Sequence, residues 1–211
     1  MAFHPPRPFH PAWLIAAALL LYLSGNWSVS LWDRDEPRYA QASRQMAFSD
    51  PPDWVIPRLP ERLRHEKPIL IYWLQAACMR LLGGNEFAAR LPSTLSMVGV
   101  LAILAWAVGR GAGAGRAFWT VAVFAFSVQA TLSAKMCLTD ATLLLWIVIA
   151  ELCLYAIWRG DGRIGTAAAM WLAVGLGALT KGPIALAVPL ATTAALVLIE
   201  VGWDWRRRGA W

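Results

Sequence analysis

The sequence predicts an all-α membrane protein: a polytopic transmembrane helix bundle of about six spans, with amphipathic juxtamembrane helices in a long first extracytoplasmic loop. Three observations predict it. Apolar residues make up 58% of the 211-residue chain and charged residues only 15%, too little polar surface to cover a soluble core of this size. The apolar residues fall in runs near the length that crosses ~30 Å of hydrocarbon at ~1.5 Å per residue. The chain also carries 13 tryptophans, which recur near the ends of those runs, where an amphipathic ring settles at the membrane interface.

Residues 1–11, with His4, Arg7 and His10 among prolines, read as a cytoplasmic N-terminus. Residues 12–32 hold the apolar run from Ala12 to Leu31 and form the first span. That run is longer than a signal-peptide core and no clear A-x-A site follows it, so it reads as a retained anchor. Residues 33–92 change to charges and prolines, which cannot lie in lipid with backbone and charge unsatisfied, and so form an extramembrane loop. Within it, Ile69 to Leu82 is apolar but carries Arg80 and falls short of a normal span, which fits an amphipathic helix lying flat in the interface. Residues 93–201 hold five more spans, near Ser93–Val108, Ala117–Ala134, Ala141–Ile157, Gly165–Leu179 and Ile184–Val201. Residues 202–211 are a basic cytoplasmic tail.

Short connections set the orientation. One side receives Arg7, then Arg110 and Arg116, then Arg159 and Arg163, then Arg206, Arg207 and Arg208, as the positive-inside rule expects of the cytoplasm. The opposite side receives the long loop, the turn from Lys135 to Asp140, and the turn from Thr180 to Pro183. The arginines of the long loop do not reverse this, because long loops escape the rule and its acids nearly balance its bases. The net charge of +6 therefore reflects topology and not a nucleic-acid-binding face. Cys78, Cys137 and Cys153 have neither zinc-ligand spacing nor a disulfide pattern.

The first candidate cluster is DRDEPRYAQASRQM, Asp33 to Met46. Pro37 suits a first helical turn, which places Asp35 at the positive end of a helix dipole. Asp35, Arg38 and Tyr39, spaced i, i+3 and i+4, share one face and offer a carboxylate beside a guanidinium and a phenol. By spacing alone the same residues also describe an ordinary solvated helix start. The second cluster is HEKP, His65 to Pro68, in which Lys67 could grip a phosphate at the membrane surface, although a Glu-Lys pair is more often only a surface feature. Asp140 opens the fourth span and Lys181 closes the fifth. Charges at span ends are commonly anchors, yet all four features fall on one side of the membrane. Glu151, deep in the fourth span, fits none of this.

The blocks DRDEPRYAQASRQM, DWVIPRL, HEKPILIYWLQAACMRLLGGNEFAARLPS, LTDA and GLGALTKGP resemble, in order and spacing, the N-terminal half of bacterial aminoarabinose transferases and their protein O-mannosyltransferase relatives in the glycosyltransferase C superfamily. The resemblance runs from about Leu31 to Pro183; Ile69 stands where relatives usually carry a second proline. It implies a glycosyltransferase of the bacterial inner membrane with its active site on the periplasmic face. The implied donor is a polyprenyl-phosphate sugar and the acceptor a lipid, a glycan or a protein, with no cofactor and no required metal. Asp35 would match the catalytic aspartate, with Arg38 and Tyr39 its neighbours. Glu66 and Lys67 would match a loop pair near the donor phosphate, Asp140 a second acidic site residue, and Lys181 a phosphate-facing lysine. Family members continue through further spans and commonly end in a periplasmic domain, so the resemblance implies that this chain holds part of such an enzyme and part of the donor cavity. Two other readings compete. A transporter or flippase would place ionisable or broken-helix positions near the bilayer midplane, where only Glu151 and Pro189 come close. A non-catalytic membrane subunit is the third.

Overall fold

The computed structural model describes residues 10–32, 35–60, 62–64 and 66–208, with side chains described as far as Glu200. Its order is α1 (Pro11–Leu23), α2 (Glu36–Phe48), β1 (Arg58–Leu59), β2 (Arg62–Leu63), α3 (Leu70–Leu82), α4 (Glu86–Ala112), α5 (Ala114–Ala125), α6 (Val128–Lys135), α7 (Asp140–Trp158), α8 (Ile164–Lys181) and α9 (Ile184–Arg208). The all-α expectation holds: β1 and β2 form only a two-residue antiparallel ladder that pairs Arg58 with Leu63.

Three helices, α4, α7 and α8, are long and apolar enough to cross a membrane, and α5 with α6 would make a fourth if the bent pair is one span. Pro11–Leu23, Leu70–Leu82 and Ile184–Glu200 are shorter apolar helices. Large apolar side chains, among them Trp13, Leu20, Trp119, Leu172 and Leu198, stand exposed around the helices, as lipid-facing positions do.

The structure differs in detail from the apolar runs. The first helix stops at Leu23, where Gly25 takes φ 73° and a turn follows, instead of continuing to Leu31. The run from Ala117 to Ala134 is broken: α5 and α6 meet at 65°. There the Ser127 hydroxyl accepts from the Ala130 N–H at 3.3 Å and caps a new helix start in place of a continuing one. The α4 helix begins at Glu86, before the apolar stretch, because the Asn85 side chain accepts from the Ala88 N–H at 2.9 Å.

Two apolar cores result. One lies between α2, α3 and the start of α4, built on Tyr39, Met46, Ile71, Tyr72, Met79 and Ala88. The other joins α1, α4, α5, α6 and α7 through Tyr22, Met97, Leu101, Val121 and Ala134. The helices α7, α8 and α9 approach closely at Gly177, where an added Cβ would fall 2.7 Å from the Ala185 Cβ. Glu151 accepts a hydrogen bond from the Thr192 hydroxyl at 3.2 Å and so joins α7 to α9.

Candidate functional site

Asp35 and Glu36 are adjacent, but the fold gives them opposite surroundings. Asp35 stands at the N-cap of α2, where its main-chain carbonyl accepts from the N–H groups of Arg38 and Tyr39. Its carboxylate makes no capping bond and faces Arg38 Nη1 at 3.5 Å, with both side chains well exposed to solvent. Glu36 is 1% exposed. Its Oε2 accepts from Arg90 Nη2 at 3.0 Å and from the Trp32 N–H at 2.8 Å. Its Oε1 accepts from Arg90 Nε at 3.2 Å and from the Cys137 N–H at 2.6 Å. Arg90 completes the knot by donating to the carbonyls of Asn26, Val29 and Ser30 at 2.8–3.2 Å. A buried pair is tolerable only when its remaining donors and lone pairs are satisfied in this way. Four segments are thereby fastened together: the turn after α1, the start of α2, the first turns of α4 and the α6–α7 connection.

The knot ties the segment that carries one acidic candidate to the connection that leads into the other. Asp35 directly precedes Glu36, and Asp140 lies three residues beyond the amide that Glu36 binds. Asp140 opens α7 and makes an ion pair with Lys181 at the end of α8, on a half-open rim. The α3 helix also touches α8.

Tyr39 sits between these features. It is 3% exposed, stacked on Tyr72 with ring centres 5.6 Å apart, and its phenol meets the Thr139 side chain, one residue before Asp140. Burial, reinforced by the neighbouring Tyr72, pushes its pKa up to about 12. Arg64 lies over the Tyr39 ring at 4.7 Å and donates from Nε to the Tyr72 phenol at 2.6 Å. The predicted Glu66-Lys67 pair falls in the same loop but separates. Glu66 turns to Arg62 at 3.2 Å, and Lys67 is half-buried without an ion pair among the described residues. Beside α2 opens a cleft of about 430 Å³, bordered by Leu31, Arg38, Arg44, Met79 and Glu86. Beneath the site, a polar chain runs from the Ser43 hydroxyl to Gln75 Oε1 at 2.7 Å and from Gln75 Nε2 to Cys137 Sγ at 3.0 Å. Burial pushes the Cys137 thiol up, so it serves here as a packed hydrogen-bond partner and not as a nucleophile.

Sequence reasoning missed Glu36, Arg90 and Arg64. Arg90 did leave a signal: a lone arginine in the run FAARLPS, next to an apolar span, needs a partner wherever it is buried. Among the described residues no three His, Cys, Asp or Glu side chains converge as a metal site would require.

Comparison with known proteins gives the family of the chain. Residues 66–210 match the family described as dolichyl-phosphate-mannose-protein mannosyltransferase. The chain is 33% identical to the undecaprenyl phosphate-alpha-4-amino-4-deoxy-L-arabinose arabinosyl transferase of Serratia proteamaculans, over 89% of this chain and 35% of that protein. It is 32% identical to the protein of the same description from Pectobacterium carotovorum, over 89% of this chain and 34% of that one. It thus spans about a third of the length of the curated relatives it matches. Its fold is similar to crystal structures of ArnT from Cupriavidus metallidurans, bound to undecaprenyl phosphate (TM-score 0.82) and in the apo state (TM-score 0.80). Each is 27% identical, over 93% of this chain and 37% of that one. The chain belongs to the dolichyl-phosphate-mannose-protein mannosyltransferase family.

Proposed function

We propose that this chain forms part of a bacterial inner-membrane glycosyltransferase that moves a sugar from a polyprenyl-phosphate carrier to an acceptor at the periplasmic face. The observation that carries the reading is the Glu36–Arg90 knot, which fastens the start of α2, with its exposed carboxylate Asp35, to the connection that leads into Asp140 and its lysine partner Lys181. Relatives named as undecaprenyl-phosphate aminoarabinose transferases make that sugar and that lipid the first donor to try.

In the proposed reaction Asp35 takes the proton of an acceptor hydroxyl as the acceptor oxygen bonds to the anomeric carbon. The bond from that carbon to the phosphate oxygen breaks, and its electron pair leaves with the polyprenyl phosphate. Lys67, Lys181 and Arg38 supply positive charge to the departing phosphate, the kind of stabilisation that contributes most in such sites. Tyr39 and Glu66 shape the loop that holds Lys67 and Arg64. A buried site would hide its base from an acceptor; Asp35 is open to one.

The test is sugar transfer in proteoliposomes containing the full-length protein, with undecaprenyl-phosphate aminoarabinose as donor and a panel of lipid, glycan and protein acceptors. Asp35→Asn should lower the rate by about 10²–10⁴-fold, the ordinary contribution of a general base. Undiminished transfer by that variant would remove Asp35 from the mechanism, and absence of transfer from any polyprenyl-phosphate sugar would remove the reading.

A further inference from the structure

The end of the bundle away from Asp140 and Lys181 holds a second cavity. The α7 helix runs 19 residues from Asp140 to Trp158, so its far end lies ~27 Å from the candidate site. Both α4 and α8 pack on α7 there, and between the three helices lies a groove of about 500 Å³, the size of a small-ligand site. Ile103 from α4, Ile149 and Leu152 from α7 and Ala169 from α8 give it an apolar wall. An added Cβ at Gly165, on the same wall, would meet nothing within 4 Å, so the groove is open there. Its mouth has a different chemistry. Asp161 and Arg163, in the connection between α7 and α8, border it, as does Trp106, over whose ring Arg110 lies at 5.5 Å. The Asp161 carboxylate is engaged locally. Its Oδ1 accepts from the Arg163 N–H at 3.1 Å and from Arg163 Nε at 2.9 Å, and its Oδ2 accepts from Arg163 Nη2 at 2.9 Å and the Thr166 hydroxyl at 2.7 Å. Two guanidinium groups from separate elements thus stand at the mouth against one carboxylate among the described residues.

We propose that this groove binds an anionic phospholipid, with an acyl chain along the wall of α4, α7 and α8 and the phosphate at Arg110 and Arg163. The site is independent of the sugar and its carrier; only the name of the leaflet, cytoplasmic, rests on the orientation proposed above. Two features select this occupant. An apolar wall that ends in a cationic, tryptophan-bordered mouth repeats the division of a phospholipid into chain and headgroup. Basic pockets between transmembrane helices take anionic headgroups for the same reason. Asp161 also fixes Arg163 through Nε and Nη2 alone, which leaves Nη1 without a hydrogen-bond partner among the described residues. A further helix would cover the wall as well as an acyl chain does, but it brings no phosphate to the mouth.

The experiment titrates the full-length protein in detergent micelles with phosphatidylglycerol, phosphatidylcholine or undecaprenyl phosphate and counts bound lipids by native mass spectrometry. The wild type should bind phosphatidylglycerol at least about tenfold more tightly than phosphatidylcholine, the scale of two guanidinium contacts at a membrane surface. The double variant Arg110→Gln/Arg163→Gln should abolish that preference and leave phosphatidylcholine binding as it was, whereas Lys at both positions should keep most of it. Should the double variant fail to fold, Arg110→Gln alone, at an exposed side chain, carries the same test with a loss of about fivefold. Ala169→Trp, which fills the groove and spares both arginines, should weaken both phospholipids. Undecaprenyl phosphate should bind every variant as it binds the wild type. Equal wild-type affinity for the two phospholipids would overturn the proposal, as would a preference that survives the loss of both arginines. A wild type that retains neither phospholipid while Ala169→Trp melts lower would make a helix of the enzyme the occupant and overturn it too. Loss of undecaprenyl phosphate binding in the arginine variants would overturn the assignment to a phospholipid. Absence of undecaprenyl phosphate binding from every protein would strike the donor reading and leave the phospholipid site standing.

Discussion

The knot around Glu36 and the rim around Asp140 are built from the same chemistry, a carboxylate with a cation, yet they stand in opposite relation to water. In the knot, Glu36 and Arg90 are buried and satisfied by seven further or shared bonds to backbone and each other. On the rim, Asp140 and Lys181 pair in partial contact with solvent, as Asp35 and Arg38 do on α2. The difference teaches that proximity of charges does not mark a reactive site: the more completely a carboxylate is bonded, the less it can accept from a substrate. Structure resides in the knot, and freedom to react is left to its neighbours.

That contrast can be broken most directly at Glu36. Replacing Glu36 by Ala leaves Arg90 buried without its anion and should cost about 3–5 kcal/mol, the usual result of breaking a buried pair. Denaturant unfolding should also show that adding Arg90→Met to Glu36→Ala restores part of the loss; strictly additive costs would mean that the two residues do not act as a pair. At the rim, Asp140→Asn should change stability by no more than about 1 kcal/mol, because exposed ion pairs contribute little. A cost comparable to that of Glu36→Ala would erase the distinction between the two regions.

A smaller effect follows from pH. The Tyr39 phenol is raised from an ordinary 10.0 to about 12, so the folded state holds its proton more tightly than the unfolded chain does. The contribution of this phenol to stability is fully present below pH 10 and is lost as pH climbs toward about 12. Tyrosinate absorbance should report Tyr39 ionising only in that alkaline window, and Tyr39→Phe should flatten the fall in stability across it. Ionisation near pH 10 would mean that Tyr39 is open to water.

Much of the architecture was readable from the apolar pattern, because lipid demands long uninterrupted runs; the helices α4, α7 and α8 follow from it. The bend at Ser127 was not readable, since a single serine competes with a helix interior only when its hydroxyl finds the Ala130 amide. On α2, the spacing of Asp35, Arg38 and Tyr39 predicted one shared face, and the first two do pair. Tyr39, one residue further round, falls on the buried side against Tyr72. Glu36 and Arg90 are 54 residues apart, and local periodicity carries no information about such a partner. Arg64 looked like one more charge in an arginine-rich loop, and only tertiary placement reveals that it is buried against Tyr39 and Tyr72.

The bond from the Cys137 amide to Glu36 spans 101 residues. During synthesis the start of α2 therefore emerges long before the chain that will complete its fastening exists. Trp32 and Arg90 precede Cys137 in the chain, so three of the four bonds to Glu36 can form first and the last waits for the α6–α7 connection. The start of α2, which carries Asp35, is thus fastened to the α6–α7 connection only by the last of those bonds.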